Sequence, residues 1–414
     1  MERSLPSRVS PSPGGLPFVS LLHRGEFCDI INTDIPTFRG AQKGSVMKTI
    51  LLVFGTRPEA IKMCPLVREL RARPGIKTVV CVTGQHREML DAVLDAFGVV
   101  PDFDLSVMKR GQTLYDITAR VLLRIREVLE AVHPDVVLVH GDTSTTFAAA
   151  LGAFYMQIPV GHVEAGLRTY NLASPYPEEF NRQTVSVLAR YHFAPTRLAA
   201  DNLLREGKDP ATIFVTGNTV VDAMRHTVRE DYTHPELEWV GGNRLLFVTA
   251  HRRENLGEPM HRMFRAIRRV LDTHPDCRAV YPIHMNPLVR QAADEELRGC
   301  DRIHIIEPLG VVDCHNFEAR CHLCLTDSGG IQEECPAYGR PVLVMRDTTE
   351  RPEGVEAGVL RLVGTDEETI FRTASELLDN DDAYAAMAHA VSPYGDGRAS
   401  ARIADILEFG KTDI

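Results

Sequence analysis

The sequence predicts an α/β fold made of two halves, each a parallel sheet covered by helices. Three observations predict it. From residue 47 onward, short apolar runs that end in glycine or a polar turn alternate with amphipathic stretches of helical period. The alternation pauses over 216–244, a mixed stretch holding Gly217, the Gly241-Gly242 pair and the lone tryptophan, Trp239, and then resumes. Finally, 414 residues exceed what one core ordinarily fills, so the chain divides into roughly two or three domains.

Taken in order, the run from Lys48 to Gly55 reads as a buried parallel strand entering a turn, with further strands at 78–83, 135–140, 159–163 and 191–193. Helical periodicity falls at 58–72, 87–97, 113–132, 145–156 and 178–189. The second half has strands expected at 245–249, 279–283, 323–326 and 342–345, and helices at 260–274 and 331–338. A hinge is expected at 217–225. Residues 1–46, punctuated by Ser, Pro and Gly without lasting apolar period, read as a poorly ordered extension. Residues 47–220 then form the first half, 221–395 the second, and 396–414 a C-terminal helix. A ligand belongs in the cleft between the halves.

Composition narrows the function classes. With 44% hydrophobic and 25% charged residues the chain has the make-up of an ordinary globular protein. Its 46 basic and 56 acidic residues give a net charge of -10, so nucleic acid is not an expected partner. Neither an apolar run of about 18 residues nor a signal-peptide pattern occurs, so no membrane partner is expected and the compartment reads as cytoplasmic. Nine cysteines without framework spacing read as reduced thiols. Cys314, His315, Cys321, His322 and Cys324 hint at a metal. A second ligand pair at defined spacing is missing, however, and Cys321 and Cys324 fall in a run that reads as a buried strand, where residues three apart face opposite sides. No metal is expected.

The fingerprints of P-loop and dinucleotide binding are both absent from the sequence, so a different phosphate grip is needed. The string LTDSGGIQEE passes from an apolar strand through a glycine pair into a helix start. Backbone N–H groups near Ser328, Gly329 and Gly330 suit a phosphate, and Glu334, one turn on, suits the two hydroxyls of a ribose. A plain capped turn reads equally well from this motif alone. Arg57 and Lys62, at a second strand-to-helix turn, could neutralise a departing diphosphate, or stand solvated. Asp142 and Glu164 directly follow two consecutive strands and so reach one sheet edge, which in a doubly wound sheet is the ligand crevice. Glu178 opens a helix after Pro175-Tyr176-Pro177, and His251 ends the strand at 245–249 with a group that titrates near neutrality. Each alone is compatible with a capping or turn role; their joint placement points to acid–base chemistry. His140 and His162 fit buried structural roles as well.

Ten ordered strings, FGTRPEAIKM, TGQHREML, VLVHGDTSTT, PVGHVEAGLRT, SPYPEEFNRQ, VTGNTVVDA, AHRRENLGEP, LTDSGGIQEE, PVLVMRDTTERPEGVEAG and SPYGDGRAS, together resemble the bacterial non-hydrolysing UDP-N-acetylglucosamine 2-epimerase family over about residues 47–407. The resemblance implies two Rossmann-like domains of the glycosyltransferase-B type, with the active site in the interdomain cleft and UDP held mainly by the second half. It implies reversible C2 epimerisation of UDP-N-acetylglucosamine to UDP-N-acetylmannosamine, supplying cell-envelope polysaccharide synthesis, with no cofactor or metal for the chemistry. The family's route is elimination of UDP and its re-addition through a 2-acetamidoglucal. Its catalytic acids fall on Asp142, Glu164 and Glu178, its histidine on His251, its N-terminal cations on Arg57 and Lys62, and its nucleotide contacts on Ser328, Gly329, Glu334 and Arg351. The C2 hydrogen has no adjacent carbonyl to acidify it, so the chemistry needs acid and base groups on both sugar faces and cations for the leaving diphosphate.

Two departures stand out. Family members often place an aromatic residue near the uracil where this chain has Cys314, and several place an arginine where this chain has Gly111 beside Arg110. Relatives activated by a second UDP-N-acetylglucosamine use positions matching Gln85, Arg252 and His284, which makes those three the candidate allosteric residues. A homodimer is expected. The competing readings are a retaining UDP-sugar glycosyltransferase on the same fold, a hydrolysing epimerase, and a non-catalytic nucleotide-sugar sensor.

Overall fold

The computed structural model describes residues 47–84, 87–109 and 111–410. The expectations placed on residues 1–46, on Gln85 and on the last four residues therefore lie outside the described residues.

Two parallel sheets carry the chain. The first comprises β1 (Lys48–Phe54), β2 (Ile76–Val82), β3 (Phe103–Asp104), β4 (Val136–His140), β5 (Val160–Val163), β6 (Tyr191–Ala194) and β7 (Ile213–Val215), in the order β3-β2-β1-β4-β5-β6-β7. The second comprises β8 (Arg244–Thr249), β9 (Cys277–Pro282), β10 (Ile303–Ile306), β11 (Leu323–Thr326), β12 (Val342–Val344) and β13 (Leu360–Leu362), in the order β10-β9-β8-β11-β12-β13. Every strand pairing is parallel, which forces a crossover between neighbours; most of these crossovers are helical. Ile50 to Phe54 of β1 and Leu246 to Val248 of β8 are fully buried because helices cover both faces of each sheet.

Strand order reverses between β1 and β4 in one sheet and between β8 and β11 in the other. Such switch points open crevices at the carboxyl ends of the strands. Arg57, Asp142 and Glu164 follow the strands of the first crevice, and His251 and Ser328 follow those of the second. The helix Arg57–Arg71 starts in a capping box: Thr56 accepts from the Glu59 N–H while Glu59 accepts from the Gly55 and Thr56 N–H groups at 2.9 and 2.8 Å. That box aims Arg57 and Lys62 along the crevice.

Several expectations are sharpened or corrected. At the segment 217–225, where a hinge is expected, the mixed character read from the sequence resolves into a loop at Gly217 and the helix Thr219–Thr227, capped by Asn218 and packed on Arg57–Arg71 and on Val311–Arg320. Cys321 and Cys324 do not face opposite sides of a strand. Cys321 caps the helix Val311–Arg320 ahead of β11, so both thiols enter one apolar cluster with Cys335. The expected helix at 331–338 is a single α-turn, Ile331–Glu334, continued by a 3-10 turn, Cys335–Tyr338, because Pro336 removes an N–H donor from the ladder. The C-terminal helix Ala399–Phe409 packs on Arg57–Arg71 of the first half, its first N–H groups capped by Asp222 at 3.1 and 2.7 Å. Among the described residues no helix is long and apolar enough to cross a membrane.

Candidate active site

Glu164 lies at the end of β5 with φ +64°, a left-handed conformation that a glutamate enters only under tertiary constraint. Its buried carboxylate accepts from Lys62 Nζ, from Asn218 Nδ2 at 3.1 Å and from Arg182 at 3.4 Å, with His140 Nε2 3.7 Å away. Arg182, on the helix Glu178–Leu188, also donates to the Asp142 carboxylate and, at 2.6 Å, to the Glu164 carbonyl. One guanidinium thus holds together the two acids delivered by β4 and β5. Asn181 fixes the turn by donating to the Asp142 carbonyl at 2.8 Å.

Glu178 is not drawn into this cluster. It is half-buried in the first turn of its helix, and among the described residues its side chain makes no hydrogen bond or ion pair. Its neighbour Glu179 is the buried one, accepting from the Thr169 and Tyr170 N–H groups at 2.9 and 3.0 Å and so shaping the loop beside Asp142.

From the second half, Glu333 faces Lys62. It accepts from Lys62 Nζ at 3.2 Å, from Asn218 Nδ2 at 2.9 Å and from Arg351 Nε at 2.9 Å. Charges therefore alternate from Asp142 through Arg182, Glu164, Lys62 and Glu333 to Arg351, crossing from one sheet edge to the other. Burial alone would raise the Glu164 pKa, but Lys62, then His140, Arg182 and Arg351, hold it well below the usual carboxylate range. Burial likewise opposes charge on Lys62, yet Glu164 and Glu333 prevail and raise its pKa. Both groups are charged at neutral pH. Arg57 closes the far side by donating to the Leu309 carbonyl at 3.2 Å.

Beyond β11, the glycine pair serves close approach. A Cβ on Gly329 would sit 3.3 Å from Arg252 Nη2, and one on Gly330 would sit 3.3 Å from the Glu334 carboxylate. Since the following α-turn is short, its dipole is weak, and an anion there is met chiefly by the guanidinium groups of Arg252 and Arg351. Asp327, fully buried, accepts from the His251 N–H at 3.0 and 2.9 Å and the Arg252 N–H at 2.9 Å. It lies 3.3 Å from His251 Nδ1 and anchors that loop. The His251 ring stacks on His284, centroids 5.5 Å apart, and burial lowers its pKa although Asp327 pulls the other way. Arg252 and His284 are thus both at the His251 loop, whereas Gln85 lies outside the described residues.

Arg182, Asn218, Asp327 and Glu333 were not singled out from sequence. Each stands inside a string already marked, Arg182 one helical turn after Glu178 and Glu333 beside Glu334, so position in the motif was the available signal. The space enclosed by Asp142, Arg168, Arg182, Glu350 and Arg351 is about 40 Å³. A cavity of about 580 Å³ lies away from the acids, lined by Thr216, Gly217, Pro336, Gly339 and Arg402.

Comparison with known proteins adds a family. A sequence profile described as UDP-N-acetylglucosamine 2-epimerase matches residues 68–408. The UDP-N-acetylglucosamine 2-epimerase of Bacillus subtilis is 59% identical over 360 residues, covering 87% of this chain and 95% of that protein. The crystal structure of the Neisseria meningitidis enzyme of that name, bound to UDP-GlcNAc, is 45% identical with a TM-score of 0.80, covering 87% of this chain and 99% of that one. The Methanocaldococcus jannaschii structure, in complex with UDP-GlcNAc and UDP, is 33% identical with a TM-score of 0.73, covering 87% and 100%.

Proposed function

The chain belongs to the UDP-N-acetylglucosamine 2-epimerase family, and on that premise we propose a route by which its residues invert C2. It is an isomerase that epimerises UDP-N-acetylglucosamine, on two Rossmann-like halves of the glycosyltransferase-B type. In the proposed reading the diphosphate enters among Arg57, Lys62, Arg252 and Arg351, and Glu334 accepts the ribose hydroxyls. Asp142, Glu164, Glu178 and His251 supply the acid–base groups around the sugar, with Ser328, Gly329 and Gly330 lining the phosphate turn.

The observation that carries the reading is Lys62 held between Glu164 and Glu333. An arriving diphosphate competes for that ammonium. Once Lys62 turns to the phosphate, Glu164 loses its main counter-charge, its proton affinity rises toward that of a buried carboxylate, and it becomes a competent base. The same ammonium then stabilises UDP as the C1–O bond breaks and C2 is deprotonated, which leaves a 2-acetamidoglucal. Return of a proton to the opposite face with re-addition of UDP gives UDP-N-acetylmannosamine. Reaction in heavy water, followed by proton NMR, tests this. Deuterium should enter at C2 of the epimerised sugar, and product that keeps its C2 protium would overturn elimination. Free N-acetylmannosamine would mark a hydrolysing enzyme instead, and transfer to an acceptor a glycosyltransferase.

The protein is further proposed to act as a cytoplasmic homodimer. Eight described cysteines are free thiols, as a reducing compartment allows. Leu123, Phe154, Tyr155 and Val187 are more than half exposed on the adjoining helices Leu114–Val132, Ser144–Tyr155 and Glu178–Leu188, a surface suited to a second copy. Light scattering should give twice the chain mass, and Phe154→Asp should lower it.

A further inference from the structure

Beside Glu334 the second half gathers an imidazole and a second carboxyl. The helix Val311–Arg320 carries Cys314, His315 and Glu318, and Glu334 approaches from the turn after β11. One ligand atom from each of His315, Glu318 and Glu334 lies within 4.8 Å of the others. The histidine tautomer follows from its neighbours. Thr227 Oγ1 donates to the Ala223 carbonyl at 3.1 Å, so it accepts from His315 Nδ1 at 2.7 Å, which leaves Nε2 with a free lone pair. Glu318 is fully buried; Oε1 accepts from the Cys314 thiol at 3.1 Å, Oε2 has no N–H or O–H donor among the described residues, and the carboxyl faces that of Glu334 at hydrogen-bonding range, so that a proton or a cation lies between the two. Among the described residues, no lysine or arginine forms an ion pair with Glu318 or Glu334.

We propose that His315 Nε2, Glu318 and Glu334 form a binding site for a divalent transition cation of the zinc class, and that this cation competes with the nucleotide for Glu334. The second clause rests on the reading of Glu334 as the ribose acceptor. Two buried carboxylates side by side are costly unless a proton or a cation lies between them. Zinc takes imidazole nitrogen and carboxylate oxygen at about 2.0–2.2 Å, which places neighbouring donors of a tetrahedron roughly 3.4 Å apart. Glu334, the most exposed of the three, is the ligand with room to adjust toward that geometry. The Thr227 hydroxyl already supplies the outer hydrogen bond that orients a ligating imidazole. The cysteine spacing weighed in the sequence does not disclose this set, because Glu318 and Glu334 come from separate elements.

Calorimetric titration of the full chain with zinc chloride, compared between wild type and Glu318→Ala, tests the site. Wild type should take up one tightly held equivalent, weakened about tenfold or more in the variant. Zinc should raise KM for UDP-N-acetylglucosamine while leaving kcat, and saturating UDP should weaken zinc uptake. Glu318→Ala should keep its zinc-free activity and lose the zinc-dependent rise in KM. Should the alanine variant fold poorly, Glu318→Gln keeps the volume and removes the charge, with the same expected loss. Equal zinc uptake by wild type and variant, no uptake by wild type because the carboxyls share a proton, or uptake indifferent to UDP would each overturn the proposal. An inactive zinc-free wild type would bear on the epimerase reading alone, since the titration reads the cation site without turnover.

Discussion

At the scale of single residues, Glu164 and Lys62 concentrate the cost of the charge cluster, and the proposed reading gives them its chemistry. Glu164 stands in a left-handed backbone conformation, and the Arg182 clamp on its carbonyl and carboxylate holds it there. On the proposed reading, which places the nucleotide grip chiefly in the other half, Glu164→Gln and Asp142→Asn should each lower turnover by about a hundredfold to ten-thousandfold while UDP affinity stays within a few-fold. Steady-state rates with calorimetric UDP titration check this; near-wild-type turnover in both variants would contradict the acid–base roles. Lys62→Met has a different signature. It leaves Glu164 and Glu333 facing each other without their shared ammonium, a loss of about 3–5 kcal/mol, readable as a lower urea midpoint. The sequence marks both residues, but nothing in it announces that they meet. Their separation of 102 positions is closed only by parallel β1, β4 and β5.

At the scale of elements, buried histidines tie strand and helix stability to pH. His140 at the end of β4 and His315 on Val311–Arg320 are both buried, and burial lowers their pKa from 6.5 to about 4 and to about 3. Between about 6.5 and 4 the unfolded chain takes up protons at these rings and the folded chain does not. Stability therefore falls as pH falls through that window, by roughly 1.4 kcal/mol per pH unit for each ring. Urea midpoints measured from pH 7 to pH 4.5 should decline steadily, and a flat profile would contradict it. The turn after β11 offers a second element-scale test. Gly329→Ala puts a methyl 3.3 Å from Arg252 Nη2 at the phosphate turn, so UDP should bind several-fold more weakly with the fold intact. A calorimetric titration unchanged by the methyl would show that the turn has room. Strand legibility also divides at this scale. The four strands missed in the sequence, β3, β7, β10 and β13, are the four sheet edges. Edge strands here are short and partly exposed, so the continuous apolar run that marked β1 or β8 is missing from them.

At the scale of the whole molecule, the pocket bounded by Asp142, Arg182 and Arg351 holds about 40 Å³, below the roughly 300 Å³ or more of a small-molecule site. The expectation at this scale is that the two halves separate to admit a nucleotide sugar, breaking the Lys62 to Glu333 contact as they do. Small-angle scattering should show distinct compactness with and without UDP-N-acetylglucosamine, and Glu333→Gln should favour the wider form. Identical curves in all states would argue for a rigid cleft.

The sequence by itself determined the two-sheet α/β plan, the central strands, and the placement of Asp142, Glu164, His251 and Ser328 at strand ends. Local apolar period and strand-to-helix turns encode all of these within a few residues. Only the tertiary structure decided that Thr219–Thr227 is a packed helix, that Cys321 and Cys324 share one cluster, and that Glu178 stands apart while Arg182 and Glu333 join the acids. Those outcomes depend on which side chains meet across parallel crossovers and between two sheets, and such meetings leave no periodic trace along the chain.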